Sequence, residues 1–113
     1  MDLSFLEKFT KGDSKKKKRY ISLYLEVAPK TFEEMERNIE AKDWEQLRIN
    51  AHSLKPQADF MGLAELKEKL IQIEEAVKSK NLNMICQLFD ESKSLSEQSE
   101  ESLRSVLDKL TLL

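Results

Sequence analysis

Residues Asn50–Gly62 read NAHSLKPQADFMG. This stretch decides the fold because it carries the chain's single histidine on what is otherwise an amphipathic helix. Apolar residues recur at Trp44, Leu47, Ala51, Leu54, Ala58 and Met61, in alternating steps of three and four, the spacing of one buried helical stripe. His52 is off that stripe. At about 100° per residue its imidazole projects roughly 130° from the stripe's mean direction, which predicts a ring in water. Lys55 follows at i+3, where helical side chains meet, and sets an ammonium beside the ring.

The composition around this helix favours more helices. The 113 residues include only two glycines and two prolines, too few for many turns or sheets, so the class is all-α. The length suits one domain over residues 1–113 with a single modest core. Nineteen basic and 21 acidic residues give a net charge of −2, which does not suggest a nucleic-acid binder. One cysteine, Cys86, cannot form an internal disulfide and fits a reducing compartment. With no apolar run of about 18 residues and no charged-then-apolar leader, the expectation is a soluble cytoplasmic protein without a membrane span. A methionine at position 1 and a helical C-terminal segment are compatible with a complete small protein.

Outward from the central helix, the other elements follow from apolar spacing. Met1–Thr10, with Leu3, Phe5, Leu6 and Phe9, predicts a short amphipathic helix across the end of a bundle. Asp13 or Ser14 is the expected N-cap of the next helix, which runs through Tyr20, Leu23, Tyr24, Val27, Phe32, Met35 and Ile39. Pro29 lies within it and predicts a kink, because the apolar spacing resumes in phase beyond it. Asp43 is the N-cap of the central helix, with Gln46 completing a capping-box pattern. Gly62 ends that helix as a left-handed residue. Leu63, Leu66, Leu70, Ile73 and Val77 form an antiparallel partner. Asn81 is the expected cap of a last helix bearing Leu82, Ile85, Leu88, Phe89, Leu95, Leu103, Val106 and Leu110. Its serine-rich middle, Ser92–Ser102, predicts fraying or a wet seam. The architecture expected is an antiparallel up-and-down four-helix bundle with a short extra N-terminal helix.

Lys15–Arg19 is a run of five cations. The plainer reading is a solvated first turn; the other is an electrostatic docking patch for an acidic partner. Cations at a helix N-terminus oppose the macrodipole and bring no local benefit.

A lone exposed imidazole suits few chemistries. A metal site needs three or four donors, and one His with one distant Cys does not supply them. Ser53 is adjacent, and i,i+1 side chains on a helix do not face each other, which disfavours a Ser–His pair. An ordinary surface histidine remains the bland alternative, but two features weigh against it. Pro56 cannot donate to the His52 carbonyl, and a helix-interior proline costs about 3 kcal/mol. Ile49, Pro56 and Phe60 project to the outward side near His52, where they either cover the N-terminal helix or form an exposed apolar patch of the kind that marks a partner site.

The stretch AHSLKPQADFMG resembles the core motif of the histidine-containing phosphotransfer (HPt) domain. That motif has a histidine, a lysine three residues on, a small residue next and a glycine ten residues after the histidine. His52, Lys55 and Gly62 match it, Ala51 and Leu54 match its apolar neighbours, and a looser likeness extends over nearly the whole chain. The family commonly has glycine directly after the lysine, where this chain has Pro56.

The resemblance implies a phosphorelay intermediate. His52 would accept a phosphoryl group from the aspartyl phosphate of a receiver domain and pass it to another receiver. An imidazole with an ordinary pKa of about 6.5 is neutral in a useful fraction near pH 7 and can attack phosphorus in line. Lys55 would offset charge on the phosphoryl oxygens. Ile49, Pro56, Asp59 and Phe60 would form the docking surface. The partners implied are response-regulator receivers and a hybrid sensor kinase. The chain would be a monomeric carrier without kinase or ATPase activity, and the two glycines are too few for a phosphate loop. No cofactor or metal is expected on it, since the Mg²⁺ belongs to the receiver. Hairpin register adds Glu74 as an acceptor for one ring nitrogen, with Lys78 and Gln57 in the same neighbourhood. Two other readings stay open. One is the phosphoacceptor and dimerisation hairpin of a histidine kinase, although that family puts an acidic residue where Ser53 stands. The other is a helical interaction module that is not phosphorylated.

Overall fold

A computed structural model describes residues 1–112. It is all-helical, with no strand among the described residues: α1 spans Ser4–Thr10, α2 Ser14–Glu40, α3 Trp44–Phe60, α4 Ala64–Lys78 and α5 Ile85–Thr111, with a 3₁₀ turn at Leu82–Met84 before α5. None of these helices is long and apolar enough to cross a membrane.

Helix α2 packs on α3 and α5, α3 on α4, and α4 on α5, so four helices close a ring around one core, with α1 against α2. The predicted stripe supplies the centre of that core. Leu47, Ala51, Leu54 and Ala58 of α3 are fully buried against Leu66, Leu70 and Ile73 of α4 and Ile21, Ala28 and Met35 of α2.

Side-chain contacts show that α2 and α3, and α3 and α4, run antiparallel. Asn50 donates to Asn38 at 2.7 Å, while Tyr20 at the start of α2 meets Phe60 at the end of α3. Along α4, Glu74 reaches back to His52 and Lys67 to Asp59. Across α2 and α5, Phe32 lies against Phe89.

Pro29 sits inside a continuous α2, so the apolar phase on either side of it belongs to one helix. Asp13 caps α2 by accepting from the Lys16 amide, and Asp43 caps α3 by accepting from Gln46. The capping box is only half made. The Gln46 side chain turns forward to Asn50 at 3.5 Å instead of back to the cap.

Two expectations about the last helix are corrected. Asn81 makes no side-chain capping bond, and the residues after it form the 3₁₀ turn, so α5 starts at Ile85. The serine-rich middle does not fray: the helix is unbroken, and Ser92 and Ser96 are buried. Ser92 and Ser99 donate back to carbonyls of their own helix, at Phe89 and Leu95, which satisfies the hydroxyls without solvent. Tyr24 of α2 comes down on this stretch, its hydroxyl buried without a hydrogen-bond partner among the described residues. Burial raises its pKa, and Ser96 alongside offsets part of the rise.

Candidate functional site

The site is built where α3 and α4 pack. Helix α3 presents its stripe inward, which leaves residues 48, 52 and 55 sharing an outer face at i, i+4 and i+7. The His52 side chain is 66% exposed, as its place off the stripe predicted. Glu74 lies opposite on α4, and its side chain is only 5% exposed. Its two carboxylate oxygens are divided between two partners. Oε1 lies 2.6 Å from His52 Nδ1, and Oε2 accepts from Lys55 Nζ at 3.0 Å.

This division selects a tautomer. Burial alone would push the Glu74 carboxyl up, but the contacts from Lys55 and His52 outweigh it and hold the group below its ordinary value, so it is a carboxylate at neutral pH. A carboxylate can only accept, so Nδ1 carries a proton, and in the neutral ring Nε2 keeps its lone pair. The ring is largely exposed. A buried acceptor behind the ring therefore orients a neutral imidazole whose free nitrogen is a nucleophile, the same division of labour that orients a catalytic histidine in acyl transfer.

Lys55 is 26% exposed. An ammonium has three N–H donors, and one on Glu74 leaves others for an incoming anion. Arg48, one turn before His52, was not singled out from the sequence, although i−4 spacing could have flagged it. It pairs with Glu45 through two hydrogen bonds. Its pKa is raised by Glu45 first and, more weakly, by Glu74, so the ring lies between two cations along the helix.

The remaining candidates fall in different places. Gly62 has φ +68°; its amide donates to Asp59 and the Leu63 amide to Ala58, a complete Schellman stop. Phe60 makes edge contacts with Phe5 and Phe9 of α1 and a tilted one with Tyr20, so it anchors the N-terminal helix. Ile49 and Pro56 are exposed. Asp59 is exposed and pairs with Lys67 at 3.1 Å. Lys78 pairs with Glu75 of its own helix at 3.9 Å, and the Gln57 amide donates to the Ser53 carbonyl; neither makes a polar contact with His52, Lys55 or Glu74.

One feature that the sequence did not disclose is a largely apolar groove of about 310 Å³ between α2 and α3, lined by Tyr20, Leu23, Tyr24, Pro56, Phe60 and Met61 with Gln57 as its polar member. It forms between residues far apart in the chain, so no spacing pattern announces it. Among the described residues no group of three or more His, Cys, Asp or Glu side chains could hold a metal.

A model of the Hpt domain matches residues 19–110, well over half of the chain. No match was found among curated proteins or among solved structures. The matched span contains the outward imidazole, the lysine one turn on and the left-handed glycine that ends their helix, and the chain belongs to the Hpt domain family of phosphotransfer modules in two-component signalling.

Proposed function

We propose that this chain is a phosphorelay intermediate that takes a phosphoryl group onto His52 from the aspartyl phosphate of a receiver domain and passes it to a second receiver. The observation that carries the reading is the exposed imidazole held at Nδ1 by the buried Glu74 carboxylate, which leaves Nε2 free. In the forward step the Nε2 lone pair attacks phosphorus in line. The P–O bond to the receiver's aspartate breaks, its electron pair leaves with the carboxylate, and an N–P bond forms. The ring keeps its Nδ1 proton and becomes formally cationic, and Glu74 stabilises that charge where it develops. Return of the group to another receiver reverses the same events.

Lys55 is placed to donate to the phosphoryl oxygens, and its tie to Glu74 keeps it from wandering. We read the helical ring as an up-and-down four-helix bundle whose α2–α3 wall, with Ile49, Pro56 and the groove beside them, receives the partner. Asp59 lies at the edge of that wall. Phe60 supports it from beneath by holding α1. In this reading the chain is a monomeric carrier working in the cytoplasm, without kinase or ATPase activity of its own, and the receiver brings the Mg²⁺.

The test is transfer. Incubation with a phosphorylated receiver should give acid-labile, base-stable label on the chain, absent from His52→Gln. A label that survives that substitution, or stable binding without label, overturns the reading.

A further inference from the structure

We propose that the basic end of α2, Lys15–Arg19, together with the apolar groove that begins beside it, docks the acidic rim of the phosphorylated partner, so that these cations govern how fast His52 is found. The inference rests on the relay reading above and adds the partner's surface chemistry to it.

Charge is unevenly distributed along the chain. Residues 1–20 carry Lys8, Lys11 and the run Lys15–Arg19 against Asp2, Glu7 and Asp13, a net +4, whereas the remaining residues sum to −6. Of these seven cations only Lys17 has an ion-pair partner among the described residues, Glu7 at 3.0 Å. Lys15, Lys16 and Arg19 are exposed, and the first turn of α2 has no acidic residue to balance them. Cations there oppose the helix macrodipole, so Lys15, Lys16 and Arg19 bring the helix no local benefit. The family match starts at residue 19, so α1 and Lys15–Lys18 lie outside the matched span.

Position supplies the rest of the argument. Arg19 immediately precedes Tyr20, which lines the groove with Leu23, Pro56 and Phe60, and Pro56 is one turn from His52. From His52 to Phe60 is about 12 Å along the helix. A standard protein interface covers roughly 800 Å² on each partner, about 30 Å across, so one partner seated over His52 and the groove also covers the basic end. The donor of a phosphoryl group is necessarily anionic where it meets this wall. A concave groove continuous with the nucleophile's wall favours a protein over a flat anionic bilayer, even though Phe5 and Phe9 are about half exposed nearby.

The experiment compares wild type with the combined variant Lys15→Glu, Lys16→Glu, Arg19→Glu and its milder Gln counterpart. Two donors are used: the receiver that labels His52 in the transfer assay, and phosphoramidate, which needs no docking. At about 0.02 M salt the Glu variant should take label from the receiver at least about tenfold more slowly, the Gln variant should lie between, and the gap should close at roughly 0.5 M salt. Labelling by phosphoramidate should be unchanged, and thermal stability equal or higher, since the macrodipole conflict is relieved. An equal loss with both donors, a loss insensitive to salt, or unchanged receiver transfer at low salt overturns the proposal. So does binding to phosphatidylserine vesicles that the Glu variant abolishes while receiver transfer stays intact, which would assign the patch to a lipid surface. Failure of wild type to take label from either donor defeats the relay reading itself, and is seen before any charge variant is compared.

Discussion

Replacing Gly62 by alanine imposes two costs that the structure keeps apart. The first is conformational: at φ +68° a residue with a Cβ pays about 1–2 kcal/mol. The second is steric. A Cβ built on Gly62 falls 1.6 Å from the Asp2 carbonyl oxygen, because the N-terminal segment crosses directly over this glycine and the Asp2 amide donates to the Gly62 carbonyl at 3.0 Å. Backbone cannot yield as a flexible side chain can, so the segment must lift and the bond is lost, a further 0.5–1.5 kcal/mol or about that. The sum is about 1.5–3.5 kcal/mol. For a chain of 113 residues each kcal/mol moves the melting temperature by about 4 °C, so the expected fall is roughly 6–14 °C. Gly12 is the internal control. Its φ is +74°, but a Cβ there meets only the end of the Glu7 side chain, at 3.3 Å. Gly12→Ala should therefore cost the conformational term alone, roughly 4–8 °C. Thermal melts followed by circular dichroism measure both. If the two variants melt together, the close approach of the N-terminal backbone to Gly62 plays no part in stability and the reasoning fails.

Further outcomes follow from the site and its surroundings. Lys55→Ala should slow labelling of His52 or shorten the life of the phosphorylated form with the fold intact; identical kinetics for variant and wild type would remove the ammonium from the mechanism. Glu74 is held below its ordinary carboxylate value in the folded chain, so the stability it contributes is complete above about pH 4.5 and is lost as pH falls through the folded value. Urea midpoints should show wild type losing its advantage over Glu74→Gln as pH falls below about 4.5, and a constant difference would contradict this. Burial raises the carboxyl of Glu100, with Arg104 and Ser96 offsetting part of that rise. Its contribution is favourable at low pH and is lost as pH rises through the folded value, so Glu100→Gln should raise the melting temperature at pH 7 and make no difference near pH 4. Phe60→Ser should lower stability, because Phe60 holds Phe5, Phe9 and Tyr20; unchanged melting with weaker receiver binding would instead make it a direct contact.

What could be read from the chain alone was whatever depends on helical periodicity. The stripe Leu47, Ala51, Leu54, Ala58 is buried, and His52, one step off it, is exposed, because a rigid 3.6-residue repeat converts spacing into direction. The pairing of Glu74 with His52 was also within reach, since register along a tight hairpin relates the two helices. Features that needed a third element were not. Phe60 had two possible fates in the sequence, and only the position of α1 decides that it is a support. The groove between Tyr20 and Pro56 is a product of how α2 meets α3. The serines of α5 misled because polarity usually marks solvent, whereas a serine that bonds back to its own helix is small enough to sit in a core. Lys78 and Gln57 were drawn toward the site by proximity in register, but their side chains bond within their own helices.

On the proposed relay reading, Nδ1 of His52 is occupied by Glu74 and phosphorus arrives at Nε2. Heteronuclear NMR of the ¹⁵N-histidine-labelled, phosphorylated chain should show a one-bond ³¹P–¹⁵N coupling at Nε2, with the Nδ1 proton retained. Coupling at Nδ1, or phosphorus on any other residue, would contradict the account.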